Sequence, residues 1–230
     1  MRKYCCVFSS LWWLAFSLHA AVNVNVTRVV FNHGEHQRTI SLVNDGEYPV
    51  VVQSWVDDGA PDKGPSQAQA PFVVIPPVLK MLPGERRELR MLTSGRGLPT
   101  DRESLYWLNV YQIPPDVKNE QTGEKVRLAL RNQLKVLWRP VNIGVLTEKS
   151  INLLSFSYRN GGIYASNQSS WNISLSEVRF GNYSITGIVI PPHSARQIFN
   201  TSPPSAGNNK INFVVINDEG NHWGFTTEVN

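Results

Sequence analysis

The feature that most constrains the fold of this chain is a repeated alternation of apolar and polar residues over short runs. Residues 38–45, 49–58 and 104–114 follow the two-residue period of a β-strand and are rich in β-branched or aromatic side chains. Turn sequences containing glycine, proline, aspartate and asparagine separate the runs. No segment longer than about ten residues has a helical period. The pattern therefore predicts an all-β protein.

The strand-like runs fall into two sets, which are separated by the segment RPVNIG at residues 139–144. The first set alone supplies about seven short strands, the number typical of an immunoglobulin-like sandwich. Short alternating runs separated by turn sequences continue after this segment. We therefore predict two immunoglobulin-like β-sandwich domains, at residues 21–141 and 142–230.

Residues 1–20 have the features of a secretory signal peptide. A basic start precedes an apolar run from Val7 to Leu18, and we predict cleavage after Ala20. The competing interpretation is a membrane anchor, but the run is shorter than the ~20 residues that a spanning helix needs. Both cysteines of the chain lie in this segment. The mature domains would therefore be held by their hydrophobic cores rather than by disulfides.

Residues 125–140 form an alternating run far longer than the about five or six residues of a typical strand. One face is apolar apart from Asn132, and it consists of Val126, Leu128, Leu130, Leu134, Val136 and Trp138. The opposite face is mostly basic and polar, and it consists of Lys125, Arg127, Ala129, Arg131, Gln133, Lys135, Leu137 and Arg139. The excess length indicates that this strand does more than complete its own sandwich.

The sequence gives little support for a catalytic or metal-binding site. The chain has no G-x-S-x-G, H-E-x-x-H or C-x-x-C motif and no phosphate-binding glycine loop. His33, Glu35 and His36 lie in one turn and could be metal ligands, but we interpret them as solvated turn residues. The sequence therefore predicts a protein that is not an enzyme and needs no metal or cofactor.

Asp101 and Glu103 flank Arg102 and could be a pair of catalytic carboxylates. We favour a structural ion pair instead.

The formal net charge of +4 includes two basic residues of the predicted signal peptide. The remaining excess is too small to indicate a nucleic-acid partner.

Five segments together resemble the periplasmic chaperones of the bacterial chaperone–usher pathway, the PapD-like family, which assemble pili. They are VTRVVF (26–31), PPVLKMLPGERRELRML (76–92), LPTDRESLYWLNVYQIPP (98–115), LKVLWRP (134–140) and VVINDEGN (214–221). Their order and spacing match over essentially the whole mature chain. The resemblance implies two immunoglobulin-like domains in an L-shaped arrangement with an interdomain cleft.

The resemblance also implies a use for the long strand. Pilus subunits of this kind lack the last strand of their fold, and the chaperone lends them its own strand. Val126, Leu128 and Leu130 match the family's donor residues, while Leu134 to Trp138 would belong to the core of the first domain. The alternation itself does not separate this role from an ordinary core role for all of these residues.

Two further sets of residues carry roles in the family. Arg28 and Lys135 match the basic cleft residues that anchor the carboxylate at the subunit's C-terminus, although both could be solvated surface charges. Glu103, Arg139 and Asp218 match an ion network that links the two domains. Such a network would fix the angle between the domains rather than add much stability.

The expected partners are pilus or fimbrial subunits and an outer-membrane usher, with no nucleic acid and no small-molecule substrate. The expected location is the periplasm. The alternative function is a secreted binding or adhesion module made of two immunoglobulin-like domains. The sequence leaves open which subunit and usher are involved and whether the free protein self-associates. The long segment before the donor strand does not settle whether the chain belongs to the long-loop or the short-loop subclass of the family.

Overall fold

The computed structural model describes residues 22–32, 34–115, 129–201 and 209–230, which form two β-sandwich domains. The predicted signal peptide, His33, Val126 and Leu128 lie outside the described residues. Within the described ranges no helix has the length and apolar character needed to cross a membrane. The predicted all-β, two-domain architecture is confirmed.

In the first domain, the described residues form nine strands packed as two sheets. They are β1 (Val22–Val24), β2 (Arg28–Phe31), β3 (Gln37–Asn44), β4 (Val50–Asp57), β5 (Phe72–Ile75), β6 (Val78–Met81), β7 (Arg86–Thr93), β8 (Ser104–Ile113) and β9 (Leu130–Trp138). One sheet has the order β1-β3-β7-β5 and the other the order β2-β9-β8-β4-β6. Strand β2 pairs in parallel with β9, and the other pairs are antiparallel.

Strand β4 illustrates how the alternating sequence forms the core. Val50, Val52 and Val56 are buried, whereas Val51 is exposed and Trp55 is only partly buried. Every second side chain of the strand therefore faces the opposite sheet, as the two-residue period requires. Inward-facing residues of both sheets make one apolar cluster, which includes Phe31, Leu42, Leu89, Leu108, Leu134 and Val136.

The second domain repeats this construction, with seven strands outside the undescribed residues 202–208. They are β10 (Leu154–Arg159), β11 (Gly162–Asn167), β12 (Ile173–Phe180), β13 (Tyr183–Ile190), β14 (Ser194–Asn200), β15 (Lys210–Ile216) and β16 (His222–Glu228). The sheets have the orders β10-β11-β14 and β13-β12-β15-β16. A separate apolar cluster lies between them and includes Phe156, Ile163, Leu175, Ile190 and Phe213.

The chain passes between the domains just after β9. Arg139 and Pro140 follow the strand, and 3₁₀ helices at Val141–Ile143 and Glu148–Leu153 lead into β10. A third 3₁₀ helix, Pro65–Gln67, lies between β4 and β5 in the first domain. The last residue of β9 is thus immediately followed by Arg139, one of the predicted interdomain residues.

Candidate functional site

Two cations stand side by side where β2 begins. Arg28 is the register partner of Lys135 across the parallel β2–β9 pair, so both side chains point to the same face of the sheet. Arg28 is 8% exposed, and its Nη1 donates a hydrogen bond to the carbonyl of Ile216 at 3.1 Å. Its buried Nε has no hydrogen-bond partner among the described residues. The fold therefore brings together the two residues that match the family's carboxylate anchor.

The electrostatic environment of this pair disfavours two positive charges. Burial lowers the pKa of Arg28, although Asp218 and Glu103 act in the opposite direction. Burial also lowers the pKa of Lys135, and the neighbouring charge of Arg28 lowers it further. Desolvated cations are costly unless an anion approaches. The pair is consequently suited to binding a carboxylate.

One edge of β9 is open next to this pair. Strand β8 pairs with β9 from Leu130 to Trp138, but β2 pairs with it only from Lys135 to Trp138. In the described part of the chain, no strand covers residues 130–134 on the β2 side. Unpaired backbone groups on a strand edge are a template for a further strand. The open edge leads directly to the two cations.

The apolar face of β9 changes from exposed to buried along its length. Leu130 is 43% exposed, whereas Leu134 is 6% exposed and Val136 is fully buried. The last two belong to the first-domain core. Leu130 is the one predicted donor residue that the structure describes, and it lies on the face of Leu134 and Val136 but outside the core.

The predicted interdomain residues Glu103, Arg139 and Asp218 are in direct contact. Arg139 Nε donates to Glu103 Oε2 at 2.5 Å, while its Nη1 and Nη2 donate to the two carboxylate oxygens of Asp218 at 2.5 and 2.7 Å. The side chain of Arg139 is 2% exposed and that of Glu103 is fully buried. One guanidinium therefore joins a carboxylate of the first domain to a carboxylate of the second.

Sequence reasoning missed a second set of contacts at Glu103. The backbone N–H of Asn172 donates to Glu103 Oε1 at 3.0 Å, and Asn172 Nδ2 donates to the same oxygen at 3.1 Å. The backbone N–H of Glu103 donates to the carbonyl of Ser170 at 2.8 Å. Asn172 and Ser170 lie in an irregular segment before β12, and no pattern in the sequence marks them as partners of Glu103.

Within this network, burial and ion pairing shift the pKa of Glu103 in opposite directions, and the same holds for Arg139. Burial raises the pKa of Glu103, while the charge of Arg139 and hydrogen bonds from Arg139 and Asn172 act to lower it. Burial alone would lower the pKa of Arg139, but hydrogen bonds and charges from Asp218 and Glu103 raise it overall. The carboxylate of Glu103 therefore depends on Arg139 and Asn172 to remain charged.

The alternative sites have ordinary structural contacts. Glu35 pairs with Arg38 at 2.6 Å in a partly exposed turn. Asp101 lies 3.8 Å from Arg102, and both are exposed, whereas Glu103 pairs with Arg139. Within the described ranges no group of three or more His, Cys, Asp or Glu side chains could hold a metal ion.

Comparisons with known families identify the class of protein. Residues 21–144 match the family described as "Pili and flagellar-assembly chaperone, PapD N-terminal domain". Residues 149–224 match "Pili assembly chaperone PapD, C-terminal domain". The chain therefore belongs to the PapD family of pilus-assembly chaperones, which are not enzymes.

Individual proteins agree with this assignment. The chaperone protein FimB/FhaD of Bordetella pertussis is 31% identical over 183 residues, which cover 77% of this chain and 75% of that protein. The structure of the Pseudomonas aeruginosa CupB2 chaperone is 27% identical, with a TM-score of 0.75, and covers 90% of this chain and 100% of its own. The SafB chaperone of Salmonella enterica, solved in complex with the SafA pilin, is 27% identical with a TM-score of 0.77 and coverages of 90% and 95%.

Proposed function

We propose that this chaperone captures pilus subunits by adding its strand β9 to their incomplete fold, the mechanism known for its family. The observation that carries the proposal is the open edge of β9 at residues 130–134, which ends at Arg28 and Lys135. An edge strand offers main-chain hydrogen bonds for affinity, and its alternate side chains offer specificity. The complex of the related SafB chaperone with the SafA pilin supports a pilin as the partner.

The geometry supports one direction for the partner strand. Strand β2 runs parallel to β9 and starts at Arg28. A partner strand that lies in line with β2 and parallel to β9 would end, at its C-terminus, beside Arg28 and Lys135. A terminal carboxylate would there meet two charged donors. An antiparallel strand would instead bring its N-terminal ammonium group to two cations, which is unfavourable.

The side chains of the long strand would fill the subunit's groove. Leu130 is exposed in the free protein and is available for this role. Val126 and Leu128, which lie outside the described residues, share its face by alternation. Anchoring the carboxylate would fix the register, because a shift of one residue turns every side chain to the opposite face.

We further propose that the network of Glu103, Arg139 and Asp218 holds the domain angle at which the cleft accepts a subunit. Arg139 contacts both domains at once, and Glu103 also contacts Asn172 of the second domain. A buried network of this kind contributes little net stability but penalises arrangements that separate its charges. Its contribution to function would be geometric.

The place of action in this proposal is the bacterial periplasm. Residues 1–20 would direct export and be removed, leaving domains at 21–141 and 142–230. The chaperone would then deliver the bound subunit to an outer-membrane usher. Self-association of the free chaperone would protect its exposed strand, and sizing of the chaperone purified without a pilin measures it.

Co-expression in a bacterial periplasm tests this proposal. The tagged chaperone is produced with pilins from the same genome, and purified complexes are sized and weighed. The proposal predicts one pilin per chaperone. A two-domain adhesion module would instead purify without a pilin, and that result, obtained with each pilin tested, would reject the proposal.

A further inference from the structure

The ammonium group of Lys135 is held by an aromatic ring. Its Nζ lies 5.3 Å from the centre of the Trp107 ring, and the two residues are register partners on β9 and β8. A cation in this position is attracted to the electron-rich ring face. Among the described residues Lys135 makes no side-chain hydrogen bond or ion pair, whereas Arg28 is fixed by the carbonyl of Ile216. Trp107 is therefore the main described restraint on the lysine.

The ring of Trp107 is itself held in place by a close backbone contact. A Cβ atom at Gly59 would collide with the Cδ1 and Nε1 atoms of the ring. Gly59 also has a φ of +89°, a conformation that favours glycine. The main chain at Gly59 therefore lies directly against the indole and limits where the ring can go.

A buried carboxylate fixes the position of Gly59. The backbone N–H of Gly59 donates to Asp57 Oδ1 at 2.8 Å, and Asp57 is fully buried. The other carboxylate oxygen, Oδ2, accepts hydrogen bonds from Trp55 Nε1 at 2.9 Å, Asn109 Nδ2 at 2.8 Å and Arg131 Nη2 at 3.1 Å. The carboxylate is thereby anchored to β4, β8 and β9, and it holds the turn that contacts Trp107.

We propose that Trp107, held by Gly59 and Asp57, is a positioning residue that orders Lys135 for the subunit's C-terminal carboxylate. This inference rests on the proposed function. A free lysine side chain must lose rotamer freedom when it binds, and pre-ordering reduces this loss. The ring also holds the ammonium group beside Arg28 in the absence of a subunit, although the two positive charges repel each other.

The test measures preference for a carboxylate rather than binding alone. Two short synthetic peptides of alternating valine and serine are compared, one with a free C-terminal carboxylate and one with a C-terminal amide. Dissociation constants are obtained by NMR titration of the folded chaperone. The dissociation constant of the amidated peptide is divided by that of the peptide with the free carboxylate. This ratio measures the preference for a carboxylate, and a uniform loss of binding does not change it.

We expect Trp107→Leu to lower this ratio by about two- to fivefold, the range of an exposed cation–π interaction. The amidated peptide should bind Trp107→Leu as well as it binds the unsubstituted protein. Trp107→Phe should restore most of the ratio because it keeps an aromatic face. Gly59→Ala keeps both Trp107 and Lys135 in the sequence but displaces the Trp107 ring, so it should also lower the ratio.

The outcomes separate the inference from the function on which it rests. If the unsubstituted protein shows no carboxylate preference, the anchor itself is wrong and the inference falls with it. If that preference exists and Lys135→Met abolishes it, but folded Trp107→Leu retains it, only the positioning role is rejected. Equal loss of binding to both peptides would assign Trp107 a merely structural role and would also overturn the inference.

Discussion

At the scale of single residues, the most informative feature is a pair of cations that makes no ion pair with any described residue. Arg28 and Lys135 are brought together by the register of β2 and β9, and both are partly or fully removed from water. Their environment lowers the pKa of each. Because such a pair disfavours its own charge, an approaching carboxylate gains more from it than from two solvated cations.

Replacing Lys135 with Ala should weaken subunit capture by about 2–5 kcal/mol, the cost of removing one partner of a buried charge pair. The domain should remain folded, because the side chain of Lys135 makes no hydrogen bond within the described structure, and the substitution leaves the backbone pairing of β9 unchanged. Capture is measured by titration with purified pilin, and folding by thermal melting. Lys210→Ala, at an exposed lysine of β15, is the matched control and should capture normally. Normal capture by Lys135→Ala would remove the anchor role.

The pKa of Lys135 also predicts a dependence on pH. Its pKa lies below the ordinary value of 10.5, so the free protein loses this charge at a lower pH than the unfolded chain does. Stability should therefore rise with pH between the two values, because the unfolded state binds more protons there. Carboxylate binding should weaken over the same interval, because it needs the charged lysine.

This pH dependence is measured by binding titrations between about pH 8 and about pH 11. Lys135→Met has no titratable side chain at this position. Below pH 10.5, the ordinary pKa of lysine, carboxylate binding by this variant should therefore depend little on pH. The same alkaline weakening in Lys135→Met and in the unsubstituted chaperone would assign the effect to another group.

At the scale of the element, β9 combines two environments along one face. Leu134 and Val136 belong to the first-domain core, whereas Leu130 is 43% exposed. The alternation in the sequence predicted the faces of this strand but not where burial begins. That boundary depends on which strands lie opposite and beside β9, and these are set by tertiary contacts. Leu137, on the mostly basic face, is only 2% exposed for the same reason.

Alanine substitutions along this face should reveal the boundary in the free protein. Leu134→Ala should lower the free energy of unfolding by about 2–5 kcal/mol, because it leaves a cavity in the core. Leu130→Ala should change it by about 0.5 kcal/mol or less, as expected for a surface position. Chemical denaturation measures both. A large loss in Leu130→Ala would mean that this residue is core rather than donor.

At the scale of the whole molecule, the arrangement of the domains depends on contacts between residues far apart in sequence. The motifs led to Glu103, Arg139 and Asp218, which the fold brings into contact. They did not lead to Ser170 or Asn172, which also bind Glu103, because hydrogen bonds in an irregular segment leave no periodic signal. The number of domains and the strand pattern were predictable from local sequence, whereas the full set of interdomain contacts required the structure.

Replacing Arg139 with Met should destabilise the protein by about 3–5 kcal/mol, because it leaves the buried carboxylate of Glu103 without its ion-pair partner. The matched control is Arg179→Met, which removes an exposed ion pair to Glu177 and should change stability by about 0–1 kcal/mol. Thermal melting gives the stability, and small-angle scattering reports the domain angle. Unchanged melting and scattering in Arg139→Met would contradict the proposed role of the network.

We expect the exposed part of the long strand to bind the subunit, and a periplasmic pull-down with a pilin measures this binding. The variant is Leu128→Glu combined with Leu130→Glu, and the control is Val73→Glu, at an exposed valine of β5 in the other sheet. The unsubstituted protein and the control should each hold one pilin, while the folded double variant should hold none. Equal capture by the double variant would show that these leucines do not contact the subunit and would contradict the donor-strand mechanism.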